Sequence, residues 1–210
     1  MKQFFKNTYL EKRFFIVLTG LVLGFILSHP FPHLLGVIKW LFYIFILLVL
    51  TDLLLLFASK GKVLGARTVP EKLSNGDAND IEIRISNTYL FRVTIKVLDE
   101  VPHQFQKRDF KIFATLDKGN SKRFTYQLRP TQRGVYVFGN LNIFARSPIG
   151  LVAKRYTFGY QQEVPVYPSF LQLRKYNLMA FTNRLHEYGL KKIRRIGHTM
   201  EFEQIKDYVL

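Results

Sequence analysis

Two apolar runs near the N-terminus constrain this chain more than anything else in it. Residues 14–27 and 34–57 are almost unbroken Leu, Ile, Val and Phe, separated by Ser28-His29-Pro30-Phe31-Pro32-His33. The 24 residues of 34–57 span about 36 Å as a helix, enough for a bilayer core of about 30 Å with some tilt. The first run has 14 residues and reaches that length only if its helix starts near Tyr9 or Leu10 and ends at His29. On that reading Tyr9 and Trp40 sit near the two interfaces, where aromatic rings are favoured. A cleaved signal peptide is the rival reading of the first run, and the basic start fits it. However, residues 27–30 make a poor small-x-small cleavage site, and a stronger span follows at once. A retained two-helix transmembrane hairpin over residues 14–57 is the expectation.

Charge sets the orientation. Lys2, Lys6, Lys12 and Arg13 precede the first run within a basic N-terminus, residues 1–13. Lys60, Lys62, Arg67 and Lys72 follow the second run, and the turn has no Lys or Arg. The positive-inside rule then puts both ends, and the soluble domain, in the cytoplasm. Two charges interrupt the second run. Lys39 and Asp52 each lie within two turns of a helix end, so both are expected to snorkel to the nearer interface. Too few other polar groups accompany them for a proton or ion path.

The rest of the chain is of another kind. Of 210 residues, 48% are hydrophobic, yet the net charge is +16 and there is no Cys. Lack of Cys excludes disulfides, thiolate metal sites and Cys nucleophiles. From residue 68 to 169 the apolar period is two. Ile81, Ile83 and Ile85 alternate with Glu82 and Arg84; Val93, Ile95 and Val97 with Thr94 and Lys96; Phe124, Tyr126 and Leu128 with Thr125 and Gln127. Two more runs, 135–138 and 141–144, flank Gly139-Asn140, which suits a hairpin or bulge. Val164-Pro165-Val166-Tyr167 reads as a last edge strand, where proline is tolerated. Turn signals fall at residues 74–77, 117–120 and 133–134. Short alternating strands at this spacing predict an immunoglobulin-like or fibronectin-like β-sandwich, so the fold class is membrane-anchored all-β with a short helical C-terminal tail.

No catalytic constellation is visible. Gly134, Gly139 and Gly150 are spaced for turns, not for a phosphate loop. Asp99 and Glu100 are adjacent and face opposite sides of a strand, so they cannot act as paired carboxylates. The five His, at 29, 33, 103, 186 and 198, lack metal-ligand spacing. No catalytic, cofactor or metal residue is therefore named, and no cofactor is expected. Residues 170–210 form a basic linker, with a helix expected over about 171–187. Seven Lys and Arg stand against Glu187 alone between residues 171 and 200. Such charge suits a cytoplasmic surface near anionic lipid; without a recognition motif it does not indicate a specific nucleic-acid partner.

Two segments carry a resemblance. Arg133, Gly134, Tyr136, Phe138 and Gly139 form Arg-Gly-x-Tyr-x-Phe-Gly. Gly197, Glu201, Phe202, Glu203, Gln204, Lys206, Asp207 and Tyr208 belong to the closing segment Met200-Glu201-Phe202-Glu203-Gln204-Ile205-Lys206-Asp207-Tyr208. With residues 126–130 and Ser147-Pro148-Ile149-Gly150-Leu151, the chain resembles the bacterial domain-of-unknown-function 58 family, which is MoxR-associated and von Willebrand factor A-like. The family's Pro-Gly-Asp turn and the domain that follows it do not occur here, nor does an Asp-x-Ser-x-Ser metal-adhesion motif. The chain is thus expected to be an N-terminal portion, truncated before the von Willebrand-like domain. The resemblance implies a multi-pass protein of the bacterial inner membrane. It would be a non-enzymatic scaffold or binding protein acting with a MoxR-type AAA+ ATPase, and with other von Willebrand-like membrane proteins, in assembly or maturation of envelope or metalloprotein complexes. An envelope-stress, transport or signalling component, and a fragment without function, are the alternatives.

Overall fold

The structure, a computed structural model, describes residues 6–106 and 110–169. It begins with a short strand, β1 (Thr8–Leu10), followed by two helices, α1 (Lys12–Ser28) and α2 (Pro32–Phe57). Pro32 opens α2, where its missing N–H costs nothing. The helices pack against each other through Phe14 on Phe45 (ring centroids 5.3 Å apart) and Phe25 on Phe42 (6.1 Å). Gly24 lets Ile38 approach, since a Cβ there would lie 3.3 Å from its Cδ1. Away from these contacts α2 is apolar around its circumference: Val37, Trp40, Tyr43, Leu47 and Leu54 are exposed. It is long and apolar enough to cross a membrane.

Ten further strands follow: β2 (Val63–Thr68), β3 (Leu73–Ser74), β4 (Asn79–Asn87), β5 (Val93–Asp99), β6 (Lys111–Leu116), β7 (Ser121–Leu128), β8 (Gly134–Phe138), β9 (Leu141–Arg146), β10 (Val152–Phe158) and β11 (Gln162–Tyr167). They form three sheets, in the orders β1-β10-β9-β5-β6, β2-β4-β7 and β3-β11-β8. The first two are antiparallel throughout. Their inward residues make one core: Val63, Ile83 and Ile85 meet Val93, Ile95, Val97, Leu141 and Ile143. A second core joins Ile81 and Leu128 to Tyr136, Phe138, Val164 and Val166 of the third sheet. The long strand β4 feeds both, because alternation carries Ile81, Ile83 and Ile85 inward along one face. Burying each such side chain contributes roughly 1.5–3 kcal/mol. The molecule is mostly β, with the β-sandwich that the alternation predicts.

Several expectations need correction. α1 starts at Lys12, not near Tyr9 or Leu10; those residues are in β1, paired with Ala153 and Val152 of β10. The N-terminal 1–13 segment is therefore in part a strand of the sandwich, and the sandwich resumes at Val63, ahead of residue 68. The Tyr9 ring lies edge-on against Phe144, 5.0 Å away. Gly139-Asn140 does not close a hairpin, since β8 and β9 belong to different sheets. Glu100 packs against the crossing, and only a glycine fits at 139, where a Cβ would lie 2.6 Å from Glu100 Oε2. β11 is central between β3 and β8. Its Pro165 is tolerated because β3 pairs only with Val166 and Tyr167. The expected helix over 171–187 and the closing segment 197–208 lie outside the described residues.

Candidate functional site at the helix–sandwich seam

The chemistry of this molecule gathers where α2 meets the sandwich. Asp52 is the one acidic residue of α2. It does not snorkel: it is completely buried, whereas Lys39 is exposed. Its carboxylate accepts the Ser147 hydroxyl on Oδ1 and the Leu151 and Val152 amides on Oδ2, both at 2.8 Å. Ser147 Oγ in turn accepts the Ile149 amide at 3.1 Å and the Gly150 amide at 3.5 Å. The segment can present these amides together because Gly150 takes φ +72°, a left-handed conformation that suits glycine. A buried carboxylate is tolerable only when so satisfied.

One turn further, α2 ends. The Leu56 carbonyl accepts the Tyr89 hydroxyl at 2.8 Å and Lys154 Nζ at 2.9 Å. A cation here complements the negative end of the helix dipole. Lys154 also lies over the Phe57 ring at 4.7 Å and the Tyr156 ring at 5.2 Å. Burial holds its ammonium below the ordinary lysine range. The Tyr89 and Tyr156 hydroxyls are 2.5 Å apart. Since Tyr89 donates to Leu56, Tyr156 donates to Tyr89. Burial pushes both phenols up.

The other end of the helix pair is tied down as well. The Glu11 amide donates to the Leu151 carbonyl at 3.0 Å, and Arg146 pairs with the Glu11 carboxylate at 3.3 Å. Arg155 donates to the Tyr9 hydroxyl at 2.9 Å. Both ends of the pair thus converge on residues 146–156.

A second polar cluster lies inside the sandwich. Alternation points Arg67 of β2 and Asp99 of β5 inward, so each needs the other. They form a buried ion pair, and Asp99 also accepts the Tyr126 hydroxyl at 2.5 Å. Burial, then the Asp99 charge, raises the Tyr126 phenol. Arg67 donates to the Gly139 carbonyl at 3.0 Å and the Tyr160 carbonyl at 2.5 Å, and lies 5.1 Å over the Phe138 ring. Glu100 faces the opposite side and accepts the Asn140 amide and the Asn142 side chain, both at 2.8 Å. It borders a cleft of about 790 Å³ that also includes His103 and Gln106.

The Arg-Gly-x-Tyr-x-Phe-Gly segment does not join the seam. Gly134 takes φ +136° at the start of β8. Tyr136 and Phe138 are core residues, the Tyr136 hydroxyl closing on the Gln132 carbonyl at 3.0 Å, and Arg133 is exposed. Its role is to shape the sandwich. Among the described residues no group of three or more His, Cys, Asp or Glu is placed to hold a metal ion. Sequence reasoning missed the partners of Asp52, together with Tyr89 and Lys154. The one signal on offer was a carboxylate five residues from the end of a largely apolar helix.

No protein-family model matches the chain, and no curated protein matches it. Solved structures do. The CARDB domain of a Pyrococcus furiosus protein in complex with di-metal ions is 18% identical, with a TM-score of 0.37, over 51% of this chain and 89% of that one. A PapD-like domain of human CEP192 is 14% identical, with a TM-score of 0.38, over 51% and 87%. A PKD domain of an M14-like peptidase from a Thermoplasmatales archaeon is 13% identical, with a TM-score of 0.31, over 49% and 92%.

Proposed function

We propose that this chain is a non-enzymatic, membrane-anchored scaffold. In this reading α1 and α2 form a transmembrane hairpin in the bacterial inner membrane. The sandwich, of immunoglobulin-like or fibronectin-like type, presents strand edges and loops to a protein partner in the cytoplasm. The observation that carries the reading is the buried Asp52 carboxylate, satisfied by Ser147 and by the amides of Leu151 and Val152. A flexible tether needs no such bond. A scaffold that must hold its binding surface at a set height and angle does. The apolar circumference of α2 supports the span, and the Lys and Arg on both sides of the hairpin support the orientation. The resemblance to the domain-of-unknown-function 58 family supports a MoxR-type AAA+ ATPase as partner, in assembly or maturation of envelope or metalloprotein complexes.

The test has two arms. Fusions of alkaline phosphatase and of green fluorescent protein after residue 62 are expected to give a dark phosphatase and a bright fluorescent protein; the reverse pattern sinks the cytoplasmic orientation. Pull-down of the membrane-extracted chain is expected to recover a MoxR-type ATPase from wild type and less of it from Asp52→Ala. Recovery that is equal from both removes the rigid-scaffold reading.

A further inference from the structure

Leu90 is 77% exposed, more than any other large apolar side chain among the described residues. It stands at the tip of the loop between β4 and β5, and that loop is clamped to the end of α2. The Thr88 amide donates to the Lys62 carbonyl at 3.0 Å, and the Lys62 amide donates to the Thr88 hydroxyl oxygen at 2.8 Å. Tyr89 reaches back to Leu56, as described above. Gly61 lies so close that a Cβ there would be 2.5 Å from the Tyr89 Cα. The tip therefore cannot move independently of the helix end.

The segments beside this loop are basic. Lys60, Lys62 and Lys118 are exposed, and so is Arg92, whose pairing with Asp117 at 2.6 Å offsets one charge. The apolar surface of α2 persists to its last turn, where Leu54 and Leu55 are both exposed. An apolar tip bonded to the end of an apolar helix, with exposed cations on the segments beside it, has the chemistry of an interfacial membrane contact.

We propose that residues 88–92, with Lys60 and Lys62, form a lipid-binding surface for anionic headgroups, into which Leu90 inserts. This rests on the membrane-anchored reading above. The surface would add a third point of attachment beside the two helices and fix the rotation of the sandwich over the bilayer. Lys60 and Lys62 would lay their stems along the apolar boundary and place their ammonium groups among the headgroup phosphates.

The absence of Cys makes the test clean. Leu90→Cys, Ile44→Cys and Val137→Cys are each labelled with an environment-sensitive fluorophore on the full chain. Each is reconstituted in vesicles of phosphatidylcholine alone or with 30% phosphatidylglycerol, carrying a spin-labelled lipid as quencher, shallow for the labels at 90 and 137 and mid-chain for the label at 44. In anionic vesicles the label at 90 is expected to be quenched at least threefold more than the label at 137. In zwitterionic vesicles, or with Lys60→Glu and Lys62→Glu added, that difference is expected to shrink at least twofold. Quenching at 44 without quenching at 90 overturns the lipid surface and leaves the anchor standing. No quenching at 44 overturns the anchor itself, and the surface with it. Equal quenching at 90 in both lipids refutes headgroup recognition by charge.

Discussion

Asp52 and Asp99 show how one residue type does two structural jobs. Each is an acid on an apolar face, and each is buried because its partners reach it. Asp52→Ala leaves a hydroxyl and two amides without an acceptor, at a cost of about 2–5 kcal/mol. On a chain of this size that lowers the melting temperature in detergent by on the order of 10 °C, read by circular dichroism. Asp52→Asn should fall between, since its amide brings a donor to a site full of donors. Asp99→Asn strands the buried Arg67 guanidinium, an expected loss of about 3–5 kcal/mol, whereas Arg67→Met with Asp99→Leu should cost less than either single change. If the double variant melts below both singles, the pair is not the isolated unit that its burial suggests. At Gly61 the argument is steric: Gly61→Ala forces a Cβ onto the Tyr89 backbone and is expected to cost about 1–3 kcal/mol by overpacking.

Among elements, β1 carries the most information for its size. Three residues pair with β10 immediately before α1 begins, so the chain is part of the sheet on entering α1. The Glu11 amide, bonded to the Leu151 carbonyl, should exchange with solvent as slowly as amides in β10. Tyr9→Ala removes the edge-on ring contact with Phe144, of a type worth about 0.5–1.5 kcal/mol. Exchange at Glu11 should then accelerate by up to about tenfold while β5 is unaffected. Unchanged exchange would mean that β1 is held by backbone pairing alone. The period-two pattern of the sequence could not reveal β1, because three residues are too few to show a period.

For the whole molecule, buried tyrosines set the response to base. Tyr89, Tyr126 and Tyr156 all have phenols raised by burial. In the unfolded chain they ionise near pH 10, and in the fold they resist it. Their contribution is fully present below about pH 10 and is lost as pH rises beyond it. Lys154 has the opposite sign: its lowered pKa makes the unfolded chain the stronger proton binder, so its contribution improves with pH up to the ordinary lysine value. Three groups against one predicts a net fall in melting temperature above about pH 10. Tyr126→Phe should flatten that fall; an equally steep curve in the variant would remove Tyr126 as a cause.

Local pattern alone dictates the helix pair and most of the strands. Unbroken apolar runs and strict alternation are local patterns, and each is enforced by the solvent that its residues must avoid. Arg67 read as a charge flanking the second run, and its inward place on β2 came only with the fold. Long-range packing settles which strand lies beside which, and what Asp52 binds. Gly139-Asn140 looks like a hairpin turn locally, yet it joins strands of two different sheets. Asp52 looks like a snorkelling acid until residues 147–152 arrive. Hydrogen bonds between distant segments leave no period in the chain, so the seam emerges only when the segments meet.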